Sequence, residues 1–294
     1  MTTALTISAP AKLNLGLTVL RRRNDGYHEI SSVMQQISLA DKICLEPRRK
    51  RGFSFFCTDP ALSGEENLVY RAAALLSREV RRELPGVAIT LYKQIPAGAG
   101  LGGGSSDAAA ALRGLNSFWG LGLEPAELAE RGALLGSDVP YCLLGGTALA
   151  TGRGEKLAPL PPLPFHWVAL ALPAAAFLST KEIYGRLSPA HYGRPPLEPL
   201  IEAVRKGERG LLREWFSRGE TNTLERAVLP FCRELGGLKE KFSSLGLAPA
   251  LTGSGPACFA LTGDIRRARR AARALQEAGH RAYLCWTLPR RSRS

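Results

Sequence analysis

A glycine-rich run between residues 95 and 107 is the part of the sequence best equipped for chemistry. It reads Ile-Pro-Ala-Gly-Ala-Gly-Leu-Gly-Gly-Gly-Ser-Ser-Asp, with five glycines between Gly98 and Gly104. Residues without side chains let backbone N–H groups approach an anion closely, and a following helix adds the positive end of its dipole. Ordering so many glycines costs entropy that an ordinary turn would avoid. The run therefore predicts a phosphate-binding loop.

Two familiar nucleotide-binding motifs fit this run less well. No Gly-Lys-Ser/Thr closes it, which excludes a Walker A motif. Gly98, Gly100 and Gly103 match Gly-x-Gly-x-x-Gly, but a dinucleotide fold places that pattern after the first strand of a parallel sheet. It also needs an acidic residue at a strand end about twenty positions on. The candidate, Glu124, stands beside Pro125 at the start of a helix instead, which disfavours this fold.

The segments around the run indicate a strand, a loop and a helix in that order. Residues Val87–Gln94 alternate as a strand, and the alanine-rich residues Ser105–Asn116 are typical of a helix. Without a ligand, the run would be a long turn before a helix capped by Ser105 or Ser106. A further helix begins near Pro125 and ends at Gly136.

The first fifty residues predict an antiparallel opening. Along Leu5–Leu20 apolar and polar residues alternate, so Lys12 and Asn14 point to the same face of one strand. A turn at Arg23–Gly26 follows, and then two further strands, Tyr27–Leu39 and Lys42–Glu46.

The rest of the chain mixes helices and strands without a regular βα alternation, which predicts an α+β fold. We expect a helix at Asn67–Leu84, capped by Asn67, with an inward face of Leu68, Ala72, Leu75, Leu76 and Val80. The proline-rich segment Pro159–Pro164 is the best candidate for a domain boundary. Beyond it we expect a strand at Phe165–Leu172, several helices between Thr180 and Leu245, a strand-turn-strand around Gly253–Gly255, a helix at Ile265–Gly279 and a strand at Arg281–Thr287.

Composition sets the size and the charge of the molecule. The chain has 294 residues, of which 45% are hydrophobic, enough for two lobes. The formal net charge of +13 favours an acidic partner, either nucleic acid or a multiply phosphorylated small ligand. In the helix at Ile265–Gly279, Ile265, Ala268, Ala272 and Leu275 form an apolar stripe, so its arginines would also suit a solvated face. Other basic runs are Arg21–Arg23, Arg48–Arg51 and the tail Arg290–Arg293.

Cysteine usage and hydropathy predict a soluble cytoplasmic protein. The six cysteines are scattered singly, without a C-x-x-C pair or a neighbouring histidine, so we expect reduced, buried thiols and no structural zinc. Nothing near the start is typical of a signal peptide. The longest apolar stretch, Trp167–Leu178, is interrupted by Pro173 and is shorter than the ~20 residues that span a bilayer.

Three motifs, in order along the chain, resemble those of the GHMP kinase superfamily. They are Pro10-Ala11-Lys12-Leu13-Asn14-Leu15, the phosphate-loop signature of Pro96 with Gly100–Ser106, and Thr252-Gly253-Ser254-Gly255-Pro256. Two further segments, Asp25–Glu29 and Gly136–Pro140, resemble the branch whose substrate is 4-diphosphocytidyl-2-C-methyl-D-erythritol, an intermediate of isoprenoid precursor synthesis. The resemblance implies a two-lobed α+β fold, with a ribosomal-protein-S5-like N-terminal lobe (1–158) and a ferredoxin-like C-terminal lobe (159–294).

The same resemblance implies roles for individual residues in a kinase that uses ATP and Mg²⁺. Lys12 and Asp138 look like the catalytic pair, with Asp138 as the base toward the substrate hydroxyl. Asn14 and Thr180 look like substrate contacts. A cytosine would be recognised by Tyr27 and His28, with Tyr184 closing the other face of the base. The ATP loop comprises Pro96, Ala97, Gly98, Ala99, Gly100, Leu101, Gly102, Gly103, Gly104, Ser105 and Ser106, with Gly253–Gly255 packed beside it. No magnesium ligand is assigned.

Each of these residues also has an ordinary structural interpretation. Asp138 would serve as a helix cap after Gly136, and Lys12 as a solvated strand residue. His28 would be a hydrogen-bonded histidine and Tyr27 a core residue. Thr180 lies in the capping-box sequence Ser179–Glu182.

Two other functions remain open from the sequence. One is another GHMP kinase, acting on homoserine, mevalonate or a sugar, which Tyr27-His28 argues against. The other is a basic nucleic-acid-binding protein, whose affinity would fall steeply with salt. The glycine-rich run argues against it, and we expect no nucleic-acid partner.

Overall fold

The computed structural model describes residues 3–80, 83–174 and 179–290, and its backbone divides into two compact units. The first unit contains Met1–Ala11, Leu39–Ala97 and Gly102–Leu144, and the second contains Lys12–Ser38, Gly98–Leu101 and Gly145–Ser294. The units interleave along the chain because two long strands, β1 (Leu5–Arg22) and β2 (His28–Arg48), contribute residues to both. The division into family domains at residue 158 stays a prediction.

The first unit contains a mixed sheet. The second half of β2 pairs antiparallel with β4 (Gly86–Tyr92), from Lys42 opposite Tyr92 to Arg48 opposite Gly86. Strand β3 (Phe53–Cys57) pairs parallel with β4. Strand β4 therefore lies between β3 and β2 in the sheet, and the chain continues from β4 into the glycine-rich run.

Four helices complete the first unit: α1 (Leu68–Glu79), α2 (Gly103–Phe118), α3 (Pro125–Leu135) and α4 (Val139–Leu144). Helix α2 is the central one, and its residues Ala108–Leu112 are fully buried. A methyl group added at Gly114 would lie 2.7 Å from Ile7 Cδ1 and 3.0 Å from Leu45 Cδ1. The missing side chain lets α2 approach β1 and β2 closely.

The second unit contains two groups of antiparallel strands. The first half of β2 pairs with β5 (Thr147–Gly152), and β5 pairs with β6 (Lys156–Pro159). A separate four-stranded sheet has the order β10-β7-β9-β8, formed by β7 (Trp167–Leu172), β8 (Ala250–Leu251), β9 (Cys258–Thr262) and β10 (Arg281–Trp286).

The helices of the second unit pack a large apolar core against these strands. Phe242, Leu224, Leu235 and Leu275 are buried in it together with Ala169 of β7. The helices are α5 (Thr180–Gly185), α6 (Glu198–Lys206), α7 (Arg209–Ser217), α8 (Thr223–Val228), α9 (Arg233–Ser244) and α10 (Ile265–Glu277).

The predicted α+β class is confirmed, but several element boundaries were wrong. The segments predicted as Tyr27–Leu39 and Lys42–Glu46 are one continuous strand that begins at His28, after Tyr27. The buried Asp41 carboxylate within it accepts backbone N–H bonds. Helix α1 ends at Glu79, before the predicted end at Leu84, with Val80 already extended; Arg81 and Arg82 lie outside the described residues.

Helix interiors were predicted in part. In α1 the buried residues are Val69, Ala72, Ala73 and Leu76, whereas the predicted Leu68 and Leu75 are only half-buried. In α10 the buried stripe is Ala268, Ala271, Ala272 and Leu275, and Ile265 is exposed.

Three strands were not predicted, β3, β5 and β6, and β6 reaches into the proline-rich segment. Pro159 pairs with Ala148 there, so the first residue of the expected connector belongs to a sheet. Of the arginine tail, Arg291 and Arg293 lie outside the described residues, as do Ala175–Leu178 of the apolar stretch. Across the described ranges, no helix is both long and apolar enough to cross a membrane.

Candidate active site

The glycine-rich loop is built on left-handed backbone conformations. Gly98, Gly100 and Gly102 have φ of 67°, 76° and 66°, values that a residue with a side chain adopts only under strain. Gly102 is the N-cap of α2, so the helix begins at Gly103 rather than at the predicted Ser105. Neither serine is the cap, since the left-handed glycine turns the chain into the helix two residues earlier.

The loop packs against the second glycine turn, as predicted. The Thr252 hydroxyl donates to the Gly100 carbonyl over 3.3 Å, and the Ala257 N–H donates to the Ala99 carbonyl over 3.3 Å. A side chain at Gly100 would overlap the Thr252 carbonyl oxygen. The close approach of two backbones therefore requires glycine at position 100.

Lys12 and Asn14 form a buried polar pair beside this junction. The Lys12 ammonium donates to Asn14 Oδ1 over 2.7 Å, and the Lys12 backbone N–H donates to the Leu101 carbonyl. Their side chains are on the same side of β1, as the alternation predicted. Only 4% of Lys12 and 2% of Asn14 is exposed, so Lys12 is not a solvated strand residue.

The polar pair is fixed by Ser32 and Thr252, which were not among the predicted site residues. Asn14 Nδ2 donates to Ser32 Oγ over 2.7 Å, and the Asn14 backbone N–H donates to Thr252 Oγ1 over 3.0 Å. A methyl group at Gly253 would lie 3.4 Å from the Lys12 ammonium nitrogen. Thr252 belongs to one of the three motifs, but its bond to Asn14 joins residues 238 positions apart, and no local signal marked Ser32.

Thr180 reaches the same glycine turn from α5. Its hydroxyl lies 2.8 Å from the hydroxyl of Ser254, and Ser179 caps the helix by accepting from the Glu182 N–H. Ser179 is therefore a helix cap, which is one half of the predicted capping box. It leaves the Thr180 hydroxyl beside the turn that approaches Lys12.

Asp138 lies in the first unit, between the end of α3 and the start of α4. Its backbone carbonyl accepts the Cys142 N–H, and its side chain is half-buried. Within this unit, a methyl group at Gly136 would lie 3.9 Å from the hydroxyl of Ser105. The turn that carries Asp138 is thus close to the end of the phosphate loop. Lys12 belongs to the second unit, and its pairing with Asp138 stays a prediction.

The loop residues differ in accessibility. Ala97, Gly98 and Gly104 are exposed, whereas Ser106 is buried and donates its hydroxyl to the Pro10 carbonyl over 2.7 Å. The Ser106 side chain therefore ties α2 to β1. The remaining loop residues are half-buried at Gly100, Gly102, Gly103 and Ser105, and buried at Pro96, Ala99 and Leu101.

An aromatic cluster surrounds His28 in the second unit. Its ring centroid lies 5.2 Å from that of Tyr184 and 6.0 Å from that of Tyr192. The Tyr192 hydroxyl is 3.5 Å from His28 Nε2. Burial, and then the charge of Arg22, lower the pKa of His28, so its imidazole is neutral at neutral pH. Tyr184 contacts His28, and its predicted role of closing the other face of a base stays a prediction. Tyr192 was missed.

Tyr27 is an exposed neighbour of this cluster. It is 58% exposed, so the structural interpretation as a core residue was wrong. The Arg153 guanidinium stacks 4.9 Å from the centre of its ring. This contact covers part of the aromatic surface and places a cation beside it. Arg153 was not predicted as a site residue, because it lies in none of the motifs.

The residues suit a nucleotide better than a protein-bound metal. Three left-handed glycines lie directly before the start of α2, where free backbone N–H groups and the helix dipole favour a bound anion. Within the described ranges, no three His, Cys, Asp or Glu side chains are grouped so that they could hold a metal ion. Magnesium sites at phosphates commonly consist mainly of phosphate oxygens and water.

Comparison with known proteins identifies the family. Residues 67–146 match the GHMP kinases N terminal domain, and residues 200–281 match the GHMP kinases C terminal domain. A 4-diphosphocytidyl-2-C-methyl-D-erythritol kinase of Moorella thermoacetica is 45% identical over 281 residues, covering 93% of this chain and 95% of that protein. A protein of the same name from Geobacillus is 42% identical, covering 90% and 91%.

Solved structures with a similar fold include a protein of the same name as these relatives. A crystal structure of 4-(cytidine 5'-diphospho)-2C-methyl-D-erythritol kinase has a TM-score of 0.82 and 38% identity, covering 96% of this chain and 99% of that one. Homoserine kinase from Cytophaga hutchinsonii shares the fold, with a TM-score of 0.75 and 18% identity, over 99% and 96% of the two chains. With both domain models matched and relatives above 40% identity along nearly its whole length, the chain belongs to the GHMP kinases.

Proposed function

We propose that the chain transfers the γ-phosphoryl group of ATP to the 2-hydroxyl of 4-diphosphocytidyl-2-C-methyl-D-erythritol. The observation that carries the proposal is the aromatic cluster of His28, Tyr184 and Tyr192, which lies next to the exposed Tyr27. The names of the chain's relatives contain the same substrate. A flat base needs stacking surfaces and polar groups at its edge, and this cluster offers both.

Each predicted residue has a chemical task in this reaction. The loop's backbone N–H groups hold the phosphates, and Lys12 supplies positive charge where negative charge develops on the transferred group. Asn14 orients the Lys12 ammonium through their 2.7 Å hydrogen bond. Thr180, beside Ser254, offers a hydroxyl to the substrate. Bound Mg²⁺ would neutralise phosphate charge.

Asp138 is proposed to act on the hydroxyl that is phosphorylated. A carboxylate is a weak base toward an alcohol, so it orients the hydroxyl first and accepts the proton as the new P–O bond forms. The bond between the γ-phosphorus and its bridging oxygen breaks, and ADP leaves. Because the transition state of phosphoryl transfer is loose, this late proton transfer is sufficient.

The substrate, the compartment and the partners rest on related arguments. The arginine excess suits a substrate that carries a diphosphate, and a reducing cytoplasm suits the six cysteines, which are all free thiols. We expect neither a nucleic-acid nor a membrane partner.

An ADP-release assay across candidate alcohols, with and without magnesium, tests the proposal. The cytidyl substrate should turn over, whereas homoserine, mevalonate and sugars should not. Replacing Tyr27 with alanine should raise KM for the cytidyl substrate by about tenfold or more, since base stacking on an aromatic ring contributes about 1–3 kcal/mol. KM for ATP should change little. Equal losses for both substrates would refute the base-recognition role.

A further inference from the structure

A buried cluster of three ionisable side chains lies at the two ends of the glycine-rich loop, within the first unit. Lys93, which follows β4, forms an ion pair with Asp41 of β2 and donates to Asp107 Oδ2, in the second turn of α2, over 2.8 Å. The three side chains are 9%, 0% and 3% exposed in that order. Neither the proposed catalysis nor the proposed base recognition uses these residues.

The cluster holds the chain on both sides of the loop. Asp41 Oδ1 accepts the backbone N–H groups of Gln94 and Ile95, the latter over 2.8 Å, which fixes the segment directly before Pro96. Asp107 fixes the helix that follows the loop. Lys93 joins the two carboxylates, so one ammonium group connects the loop's entry to its exit.

The packing beneath the loop leaves little freedom at this point. A methyl group at Gly103 would lie 3.1 Å from Ile95 Cγ2 and 3.3 Å from the Lys93 ammonium nitrogen. The first residue of α2 therefore lies directly on the Lys93 side chain. Displacing this side chain would move the helix start whose N–H groups face a bound phosphate.

The composition of the cluster favours a positioning role over a contribution to stability. The favourable Coulomb energy of a buried ion pair is largely offset by the cost of desolvating the two charges. Well-packed apolar residues of similar volume often stabilise a core to the same extent or more. Here two carboxyl groups share one ammonium, and Asp107 Oδ1 is buried without a hydrogen-bond partner among the described residues. Such a costly arrangement is explained by what it holds in place.

We propose that Asp41, Lys93 and Asp107, the loop anchor, are positioning residues that preorganise the phosphate loop for ATP. The inference rests on the ATP-binding part of the proposed function and is independent of which alcohol is phosphorylated. A preorganised loop lowers the ordering cost of binding, so loosening it weakens ATP affinity without affecting the other substrate.

Two substitutions at position 107 test the anchor. Asp107→Ala removes the contact with Lys93 yet suits a helix, whereas Asp107→Asn keeps an oxygen for it. The alanine variant should raise the Kd for ATP, measured by calorimetry, and the KM for ATP by about fivefold to tenfold. KM for the cytidyl substrate should stay within about twofold, by the same argument. The asparagine variant should restore most of the ATP affinity.

Lys93→Met, with Lys42→Met as the matched control, extends the test. Lys42 is an exposed lysine whose ammonium lies over the Tyr92 ring, so its loss should leave ATP binding unchanged. An unchanged ATP Kd in Asp107→Ala, even with a lower melting temperature, would show a purely structural network and overturn the inference. An equal rise in both KM values would also overturn it.

The outcomes separate this inference from the proposed function. If the wild-type protein binds ATP but does not phosphorylate the cytidyl alcohol, the substrate assignment fails and the anchor is still tested by the ATP Kd. If the wild-type protein does not bind ATP, both fail.

Discussion

At the scale of single residues, Asp138 carries the most specific chemical expectation. Asp138→Asn keeps the size and the start of α4 but removes the proton acceptor, so turnover should fall by about 10²–10⁴. ATP affinity should remain close to that of the wild type. Single-turnover ADP formation and calorimetric ATP titration measure the two quantities.

A matched substitution controls for effects on helix starts. Asp264 is the N-cap of α10 and accepts the Arg266 N–H, a bond that asparagine can also accept. Asp264→Asn should therefore leave both ADP formation and ATP affinity unchanged. Full activity in Asp138→Asn would remove the base role.

Tyr192 is the aromatic neighbour that the sequence did not indicate. Its hydroxyl lies 3.5 Å from His28 Nε2, and the next residue's N–H donates to the Val19 carbonyl, which holds the segment against β1. Tyr192→Phe should raise KM for the cytidyl substrate by about threefold to tenfold, because the His28 ring loses a polar partner. Kinetics with saturating ATP measure the change.

The control for Tyr192→Phe is the same substitution at another tyrosine of the same unit. Tyr283 on β10 has its hydroxyl 3.5 Å from an Arg281 nitrogen, so Tyr283→Phe removes a similar bond elsewhere. Its KM for the cytidyl substrate should stay at the wild-type value. A Tyr192→Phe enzyme that matches this control would show that the hydroxyl has no part in base recognition.

At the scale of elements, the contact between the phosphate loop and the 253–255 turn depends on Gly100. Gly100→Ala forces a side chain into a left-handed conformation and against the Thr252 carbonyl. The free energy of unfolding should fall by about 2–4 kcal/mol, and ATP affinity by tenfold or more, as the loop is displaced. Urea unfolding and ATP titration measure both.

Gly279→Ala separates the backbone strain from the clash. Gly279 has φ of 85° and open space around its missing side chain. The free energy of unfolding of the Gly279→Ala variant should fall by only about 1–2 kcal/mol, because only the cost of the left-handed backbone remains. Its ATP affinity should not change. If both variants lose ATP affinity equally, the close approach at Gly100 is not what shapes the loop.

These elements also show how far a sequence can be interpreted. Strand β1, helix α3 with its Pro125 start, and the strand-turn-strand at Gly253–Gly255 were predicted because their signals are local: alternation, a helix-start proline and glycine turns. The start of α2 was placed two residues late, because the cap is a left-handed glycine rather than a serine side chain.

Other features depend on partners that are distant in sequence. The predicted gap between two strands at residues 40 and 41 is part of one continuous strand, where the buried Asp41 carboxylate accepts the N–H groups of residues 94 and 95. Ser32 and Arg153 were missed in the same way, since each contacts a residue far along the chain. Motifs indicated Lys12, Asn14 and the loop. The residues that hold them in place could be found only from the tertiary structure.

At the scale of the whole molecule, stability should depend on pH through the loop anchor. Burial raises the pKa of Asp107 to about 8, against the opposing effect of Lys93 and with a further rise from Asp41. Burial also raises the pKa of the nearby Cys57 thiol, which therefore stays neutral over the acidic and neutral range. Lys93, whose pKa is raised by the two carboxylates despite its burial, stays charged there.

The sign of the effect follows from proton binding. An unfolded chain releases the Asp107 proton near its ordinary pKa of 3.8, whereas the folded chain keeps it until about pH 8. The folded state thus binds more protons between these values, and the contribution of Asp107 to the free energy of unfolding decreases as the pH rises through this window. The contribution is fully present below about pH 4.

Asp107→Asn tests this linkage for the whole protein, because asparagine does not titrate. Urea unfolding at pH 5 and pH 8 should show the variant gaining stability relative to the wild type at the higher pH, by roughly 3–4 kcal/mol. Asp264→Asn, at an exposed helix cap, should show no such change between the two pH values. A difference between Asp107→Asn and the wild type that is the same at both pH values would mean that Asp107 is ionised throughout. The anchor would then carry a net negative charge at neutral pH, directly beneath the loop proposed to receive phosphates.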